Sequence, residues 1–259
     1  MARDFEEMFG QKVGQGAQAT VYAKGDFAVK LYREGYPKRN VFSEAYVMAN
    51  LDQENFPSPK VYEVLMVDNR YGLRMDLLKG TPVENVLVEA AKKNDISKLN
   101  ETINSLVELQ IRLQKHNFAG DWTANLKIRF RRDITDNNRL SDDIQKKLLE
   151  ILDGLPDGDA LCHCDFHSGN IFIDGTEYTI IDLLQISKGD PAADAACSYV
   201  AYCFTSREVG DYYLDKYCEM SGILRENVLA WLPVYAGTLL GQLPEELEPL
   251  LEEFISMGG

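Results

Sequence analysis

Oxygen-bearing side chains are concentrated in one short segment and at the end of the strand that follows it. The segment runs from His163 to Asn170 and contains Asp165, and twelve residues after Asn170 a pair of isoleucines leads into Asp182. Phosphoryl transfer needs a carboxylate that orients the attacking hydroxyl and accepts its proton, and it needs oxygen ligands for Mg²⁺. A loop that returns into a hairpin would place Asp165, Asn170 and Asp182 around one point. The pattern therefore favours phosphoryl transfer.

Two other interpretations of this segment are weaker. Cys162, His163, Cys164 and His167 are typical zinc ligands, but they fall within six residues and lack the second, distant pair of a two-plus-two zinc site. An aspartate and an asparagine at this spacing also occur by chance in turns, because both residues are turn formers. The hairpin that follows, with an aspartate at its end, argues against chance.

A second group of residues with chemical potential lies near the N-terminus. Gly14 and Gly16 open a segment of small side chains, which allows backbone N–H groups to approach phosphate oxygens. Lys30 ends an apolar strand and requires an anion if it points inward. Glu44 on the next helix is the preferred partner, and Glu34 in a turn is the rival. Alternatively, the glycines form an ordinary strand turn, and Lys30 extends to water.

The secondary structure predicted to position these groups changes along the chain from mainly strands to mainly helices. Residues 1–76 are predicted to form a small antiparallel sheet with one helix, which begins near Pro37. Residues 77–82 form a connector, and residues 83–259 form a helical lobe with an embedded hairpin. The fold class predicted is therefore α+β, with two lobes. On the first helix, the residues expected to share a buried face are Val41, Ala45, Met48 and Ala49.

Apolar periodicity predicts the helices of the second lobe. One helix is predicted to span Ser141 to Leu152, with Ser141 as its N-cap, and Asp174-Gly175 is the expected hairpin turn. From Pro191 onward the sequence is helical, with expected breaks near Gly210, Gly222 and Pro233. A longer amphipathic helix is indicated by a stripe of residues spaced three to four apart: Ile96, Leu99, Ile103, Leu106, Gln110 and Leu113.

The strings HCDFHSGNIFIDG and IIDLLQISKGDPAADAA resemble the aminoglycoside phosphotransferase and choline kinase-like group, which are small-molecule kinases with the protein-kinase fold. The first string has the kinase catalytic-loop spacing H-x-D-x-x-x-x-N. The resemblance covers nearly the whole chain and implies that Asp165 is the catalytic base and that Asn170 and Asp182 bind magnesium. It also implies that Lys30 with Glu44 positions the phosphates of ATP or GTP.

The same resemblance assigns roles to several other positions. Gly14 and Gly16 match the phosphate-covering loop, with Ala17 in place of its third glycine. The connector at Asp76, Leu77 and Leu78 is expected to present backbone groups to adenine. His163 would brace the catalytic loop, whereas His167 matches a second histidine common in these kinases and has no expected chemical role.

The sequence departs from protein kinases after Asp182. Leu184 replaces the glycine that often completes the motif, so no mobile switch is expected there. The next helix begins near Asp190-Pro191, and protein kinases place a longer peptide-docking segment in this interval. The acceptor is therefore expected to be a small alcohol.

Charge narrows the class of acceptor. The 259 residues carry a net charge of −14, which argues against binding nucleic acid and anionic membranes. Residues 205–259 contain ten acidic and three basic residues, so half of this charge lies in about a fifth of the chain. These helices favour a cationic acceptor, although a solvated helix face is the simpler explanation for any single glutamate. Five aromatic residues could cage a quaternary amine, although aromatics at these spacings are more often core residues: Trp122, Trp231, Tyr212, Tyr213 and Tyr235.

The leading hypothesis is an O-phosphotransferase that uses ATP (or GTP) and Mg²⁺, with an aminoglycoside-type antibiotic as first acceptor. The alternatives are a metabolic kinase for choline, ethanolamine, thiamine or another small alcohol, then a nucleotide-binding pseudokinase or a protein kinase. A cytoplasmic monomer or weak dimer is expected, because the first residues lack a signal-peptide core and the five cysteines form no disulfide pattern. The basic run of Lys127, Arg129, Arg131 and Arg132 is expected to be a solvated face with interleaved core residues.

Overall fold

The computed structural model describes residues 4–16, 18–116 and 122–258. Contacts within the chain define two units. The first is Met1–Asn85 with Gly169–Leu184, and the second is Val86–Ser168 with Gln185–Gly259. The hairpin after the catalytic segment therefore groups by contact with the strand-rich unit, although the sequence placed it in the helical lobe. The lobe boundaries at residues 76 and 82 remain predictions.

An antiparallel sheet forms the centre of the first unit. Its strand order is β1-β2-β3-β5-β4. The strands are β1 (Gln11–Gln15), β2 (Ala19–Lys24), β3 (Phe27–Tyr32), β4 (Val61–Val67) and β5 (Arg70–Asp76). Gly25 and Asp26 form the tight turn between β2 and β3, as the sequence predicted. Asp68 and Asn69 join β4 to β5 with positive φ angles of 46° and 60°, which matches the twist of the strands they connect.

Two helices pack on this sheet. Helix α1 (Phe5–Phe9) places its two phenylalanine rings beside Tyr22, and the sequence did not predict it because five residues show no helical period. Helix α2 (Lys38–Gln53) packs against β4 and β5. The predicted buried face of α2 was partly wrong. Ala49 is exposed, and Glu44 lies on the buried face because its carboxylate has partners there.

A second, smaller sheet contains the hairpin. Its order is β10-β9-β6, formed by β6 (Thr81–Pro82), β9 (Ile171–Asp174) and β10 (Glu177–Ile180). The hairpin turn follows Asp174, with Gly175 at φ 61°. The N–H of Ile180 donates to the carbonyl of Pro57, which ties the hairpin to the rest of its unit.

Helices dominate the remainder of the chain. Three short strands form a third sheet with the order β7-β11-β8. They are β7 (Ala124–Asn125), β8 (Ala160–Cys162) and β11 (Ser187–Gly189). The helices are α3 (Val83–Lys92), α4 (Ile96–Gln114), α5 (Leu126–Thr135), α6 (Asp142–Gly154), α7 (Pro191–Cys203), α8 (Arg207–Ser221), α9 (Arg225–Leu229), α10 (Leu232–Leu239) and α11 (Glu248–Ser256). The predicted α+β fold class is thus confirmed.

The predicted helices agree with these bounds except at one break. The stripe on α4 is buried from Ile103 to Leu113, and Ser141 caps α6 through its hydroxyl. Gly222 ends α8 with φ 77°. Gly210 does not end a helix, however, although the sequence predicted a break there. It lies inside α8, where a Cβ atom would come within 2.4 Å of the Cys203 sulfur, so this glycine permits the close packing of α8 on α7.

Among the described residues, no helix is both long enough and apolar enough to cross a lipid bilayer.

Candidate functional site

The segment that contains Asp165, residues 163–168, is held in the helical unit by its buried side chains. His163 and Phe166 are fully buried, and their rings meet edge to face with 6.1 Å between centroids. Between them, the Asp165 side chain retains 31% of its exposure. The buried side chains on both sides of Asp165 therefore present its carboxylate on a fixed support.

The residue before Asp165 adopts an unusual backbone conformation. Cys164 has φ 62°, a left-handed geometry that disfavours residues with a Cβ atom. Its N–H donates to Oδ1 of Asp194 over 2.7 Å, and its carbonyl accepts the hydroxyl of Tyr235 over 3.3 Å. Both peptide groups of Cys164 are thus bonded to buried side chains.

His167 lies close to the carboxylate of Asp165, the predicted base. Its Nε2 atom is 3.6 Å from Oδ1 of Asp165, and about a third of each side chain is exposed. The sequence assigned this histidine no chemical role, and the structure places it beside Asp165.

The two predicted metal ligands lie at the same end of the hairpin, opposite the Gly175 turn. Ile171 of β9 pairs with Ile180 of β10, and the N–H of Ile181 donates to the carbonyl of Asn170 over 2.9 Å. Asn170 is buried, whereas Asp182 has φ 58° and a side chain that is 45% exposed. The hairpin register thus brings residues 170 and 182 together, although twelve positions separate them in the chain.

Lys30 of β3 contacts both Glu44 of α2 and Asp182 at this end of the hairpin. Its Nζ atom lies 2.7 Å from Oε1 of Glu44 and 3.8 Å from Oδ1 of Asp182. The other oxygen of Glu44 accepts the hydroxyl of Tyr32. The structure therefore pairs Lys30 with Glu44, while the rival Glu34 is exposed.

The charge state of Lys30 follows from these neighbours. Burial by itself would lower the pKa of its ammonium group, but the carboxylates of Glu44 and Asp182 outweigh burial and raise that pKa above its ordinary value of 10.5. Lys30 is consequently a permanent cation at neutral pH, beside two carboxylates.

Of the two predicted phosphate-covering glycines, Gly14 lies in β1, where it pairs with Val21 of β2, and Gly16 directly follows β1. A Cβ atom at Gly16 would meet no described atom within 4 Å, and one at Gly14 would reach only Val21 at 3.7 Å. Packing among the described residues does not require glycine at either position. The N–H of Gly16 donates to the carbonyl of Ala19, and Ala17 lies outside the described residues.

The three connector positions differ in their backbone bonding. The N–H of Asp76 donates to the carbonyl of Lys60, and the N–H of Leu77 donates to the carbonyl of Asp26, each over 3.0 Å. Within the described ranges, the backbone groups of half-buried Leu78 form no hydrogen bond. Of the three positions, Leu78 is the one at which neither the N–H nor the carbonyl forms a hydrogen bond within the described ranges, so both groups can meet a ligand.

The zinc interpretation lacks support from the described residues. They contain no group of three or more His, Cys, Asp or Glu side chains arranged to hold a metal ion. All five cysteines are free thiols, and the thiol of Cys162 donates to the carbonyls of Ala160 and Asp190 at long distances.

The donor set at the hairpin fits magnesium better than zinc. Asn170 and Asp182 offer one amide oxygen and one carboxylate, which are hard oxygen ligands. Magnesium typically binds one or two carboxylates together with phosphate oxygens rather than a complete protein cage. The adjacent cation Lys30 also suits a phosphate-bearing ligand.

The structure distinguishes core from solvated positions among the aromatic and basic residues. Trp231, Tyr213 and Tyr235 are core residues, as the sequence favoured, so they do not form an amine cage. The basic run on α5 is partly solvated, because Arg131 and Arg132 are exposed whereas Lys127 and Arg129 are half-buried. Its cations contact named partners: Lys127 the carbonyl of Leu155, Arg129 the carbonyl of Gln185, Arg131 the carboxylate of Asp153, and Arg132 that of Asp133.

The sequence analysis missed the buried polar residues behind the catalytic loop. Asp194 is fully buried in α7 and bonds to Gln110 and Gln114 of α4. A signal was present, because Gln110 interrupts an apolar stripe and Asp194 stands among alanines. Polar residues in such positions need buried partners, but the sequence does not identify them.

Comparison with known proteins identifies the family to which the chain is similar. The model of the "Phosphotransferase enzyme family" (APH) matches residues 10–231. A search of curated proteins by sequence found no significant match.

Solved structures with the same fold include three informative neighbours. A thermostable mutant of aminoglycoside phosphotransferase APH(4)-Ia, in a ternary complex with ADP and hygromycin B, is 12% identical, with a TM-score of 0.63 over 98% of this chain and 96% of that one. APH(3'')-Id from Streptomyces rimosus, in complex with ADP and streptomycin, is 17% identical, with a TM-score of 0.62 over 89% and 92%. A choline/ethanolamine kinase family protein from Mesorhizobium loti is 14% identical, with a TM-score of 0.62 over 96% and 86%. At these identities the likeness concerns the fold.

Proposed function

The chain belongs to the phosphotransferase enzyme family, and from that membership we propose that it transfers the γ-phosphate of ATP (or GTP) to a hydroxyl of a small molecule. The observation that carries the proposal is the arrangement around Lys30, whose ammonium lies between Glu44 and Asp182. A cation held by a buried carboxylate, next to oxygen ligands for a metal, suits a nucleotide polyphosphate.

Each residue has a distinct task in this proposal. Lys30 neutralises phosphate oxygens, and Glu44 keeps its side chain in one orientation. Asn170 and Asp182 would hold Mg²⁺, which supplies charge neutralisation of the phosphates when bound. Asp165 orients the acceptor hydroxyl and takes its proton at a carboxylate oxygen as the hydroxyl attacks. Leu78 offers its backbone groups to the nucleotide base.

The acceptor is proposed to be small and cationic, with an aminoglycoside-type compound as first candidate. Two of the structural neighbours are complexes with hygromycin B and streptomycin. Only seven residues lie between Asp182 and Asp190, and they form a short 3₁₀ turn and strand β11, which leaves little chain for peptide docking. Choline, ethanolamine, thiamine or a related alcohol is the second candidate, supported by the choline/ethanolamine kinase neighbour.

A substrate panel tests the proposal. Purified protein is assayed for nucleotide consumption with aminoglycosides, choline, ethanolamine, thiamine, homoserine and sugars, with and without Mg²⁺. We expect phosphorylation of one of these alcohols, which the Asp165→Asn variant should lose while it still binds nucleotide. The control is Asp159→Asn, at a carboxylate that is 90% exposed. Full turnover by Asp165→Asn would overturn the assignment of the base, and phosphorylation of peptides alone would overturn the small-molecule acceptor.

The metal assignment has a matched pair of variants on the hairpin itself. Asp182→Asn should abolish the magnesium dependence of nucleotide binding measured by calorimetry. Asp174→Asn, at the turn end of the same hairpin, should retain it. Equal behaviour of the two variants would contradict the metal site.

A further inference from the structure

We propose that Gln110, Gln114 and Tyr235 are positioning residues that set the direction of Asp165 by fixing both peptide groups of Cys164. This inference rests on the proposed function, because it takes Asp165 as the group that accepts the acceptor's proton. None of the three side chains is on the catalytic loop. Tyr235 contacts the loop directly from α10, whereas Gln110 and Gln114 act from α4 through Asp194 of α7.

The need for positioning arises at Cys164. Its left-handed conformation is strained for a residue with a Cβ atom, so surrounding bonds must maintain it. Asp194 accepts its N–H, and the Tyr235 hydroxyl donates to its carbonyl. That carbonyl belongs to the peptide group that joins Cys164 to Asp165. Its orientation therefore determines where the Asp165 side chain leaves the backbone.

Asp194 depends on the two glutamines. Its carboxylate is fully buried, and within the described ranges it forms no ion pair. Oδ2 accepts the Nε2 groups of Gln110 and Gln114 over 2.8 and 2.9 Å, while Oδ1 remains available to the loop. Burial raises the pKa of the Asp194 carboxyl, and these N–H donors stabilise the charged form against that effect.

Hydrogen bonds from two tyrosines fix the orientation of the two glutamine amide groups. The hydroxyl of Tyr213 donates to Oε1 of Gln110 over 2.6 Å, and that of Tyr217 donates to Oε1 of Gln114 over 2.8 Å. An amide that accepts a hydroxyl at its oxygen must direct its NH₂ group the other way, here towards Asp194. Burial raises the pKa of both tyrosines, so both remain donors.

The neighbouring Tyr202 provides a matched control. It is buried, its ring lies 4.8 Å from that of Tyr213, and its hydroxyl has no hydrogen-bond partner in the described part of the chain. Tyr202→Phe therefore removes a buried hydroxyl from the same cluster without removing a bond to the network.

The experiment compares Tyr217→Phe, Tyr235→Phe and Gln114→Met with Tyr202→Phe. We expect kcat to fall about 10-fold in the first three, as for supporting residues elsewhere, with the nucleotide KM unchanged. Tyr202→Phe should keep the wild-type kcat. Combining Tyr217→Phe with Gln114→Met should cost no more than Gln114→Met alone, because the hydroxyl acts through the amide.

A second measurement is independent of activity. Amide hydrogen exchange across residues 163–168 should be faster in Tyr235→Phe and Gln114→Met than in Tyr202→Phe. If the network served only packing, the melting temperature would fall while kcat per folded molecule stayed constant, and the inference would be wrong. If Asp165→Asn retains turnover, the proposed function fails. If Asp165→Asn is inactive but Tyr217→Phe and Tyr235→Phe match Tyr202→Phe in kcat, only the positioning role fails.

Discussion

At the scale of single residues, Glu44 has an energetic role as well as a chemical one. Its side chain is 5% exposed and that of Lys30 is 17% exposed, so the pair is largely shielded from water. Removing one partner of a shielded pair leaves the other charge without compensation, and this costs about 3–5 kcal/mol when the remaining charge is fully buried. Asp182 lies 3.8 Å from Lys30 and offsets part of that cost.

We therefore predict that Glu44→Gln lowers the free energy of unfolding by about 1–3 kcal/mol and raises the nucleotide KM, because Lys30 loses its orientation. Urea denaturation and initial-rate kinetics measure the two effects. Glu34→Gln, which changes the same residue type at an exposed position, should alter neither. Equal effects of the two substitutions would show that Glu44 does not hold Lys30.

At the scale of elements, the short sheet that carries Asn170 depends on Gly80. This glycine has φ 82°, and a Cβ atom added to it would lie 2.1 Å from the carbonyl oxygen of Ile173 in β9. The turn glycine Gly25 has a similar φ of 64° but open space around it. At both positions the positive φ angle disfavours any residue with a Cβ atom. Only at Gly80 would that Cβ atom also clash with a neighbouring strand.

Gly80→Ala should accordingly lower the free energy of unfolding by about 2–4 kcal/mol, against about 1 kcal/mol for Gly25→Ala. Because the clash displaces β9, Gly80→Ala should also weaken magnesium-dependent nucleotide binding, and Gly25→Ala should not. Chemical denaturation and calorimetry provide the comparison. A stable Gly80→Ala variant with normal binding would contradict the role of this contact.

Local sequence patterns predicted some elements and not others, for physical reasons. Helix α4 has nineteen residues and a repeating apolar stripe, so its period is visible in the sequence. Helix α1 has five residues, too few to show a period. Gly210 looked like a break because its role depends on Cys203 of another helix. The pairing of Lys30 with Glu44 was predictable from spacing and charge, but Asp194 is held by residues about 80 positions away, which no local pattern shows.

At the scale of the whole molecule, the acidity of residues 205–259 divides into two parts. Several carboxylates are held by arginines: Arg207 binds Glu253, Arg225 binds Asp211 and Asp215, and Arg139, from outside this segment, binds Glu248. The remaining part includes Glu245, Glu246 and Glu252, which are exposed and form no ion pair within the described residues. These three carboxylates are free to attract a cation.

If these carboxylates attract a cationic acceptor, replacing all three by glutamine should raise the acceptor KM at low salt and leave the nucleotide KM unchanged. The difference from wild type should shrink as salt is added, because the screening length falls from about 10 Å at 0.1 M to about 3 Å at 1 M. The control replaces Glu34, Glu63 and Glu84, three exposed carboxylates of the strand-rich unit, by glutamine, so the net charge changes equally. An acceptor KM that changes equally in both variants would reflect net charge alone. A KM that changes in neither, with a cationic acceptor identified by the panel, would place the recognising carboxylates elsewhere in the molecule.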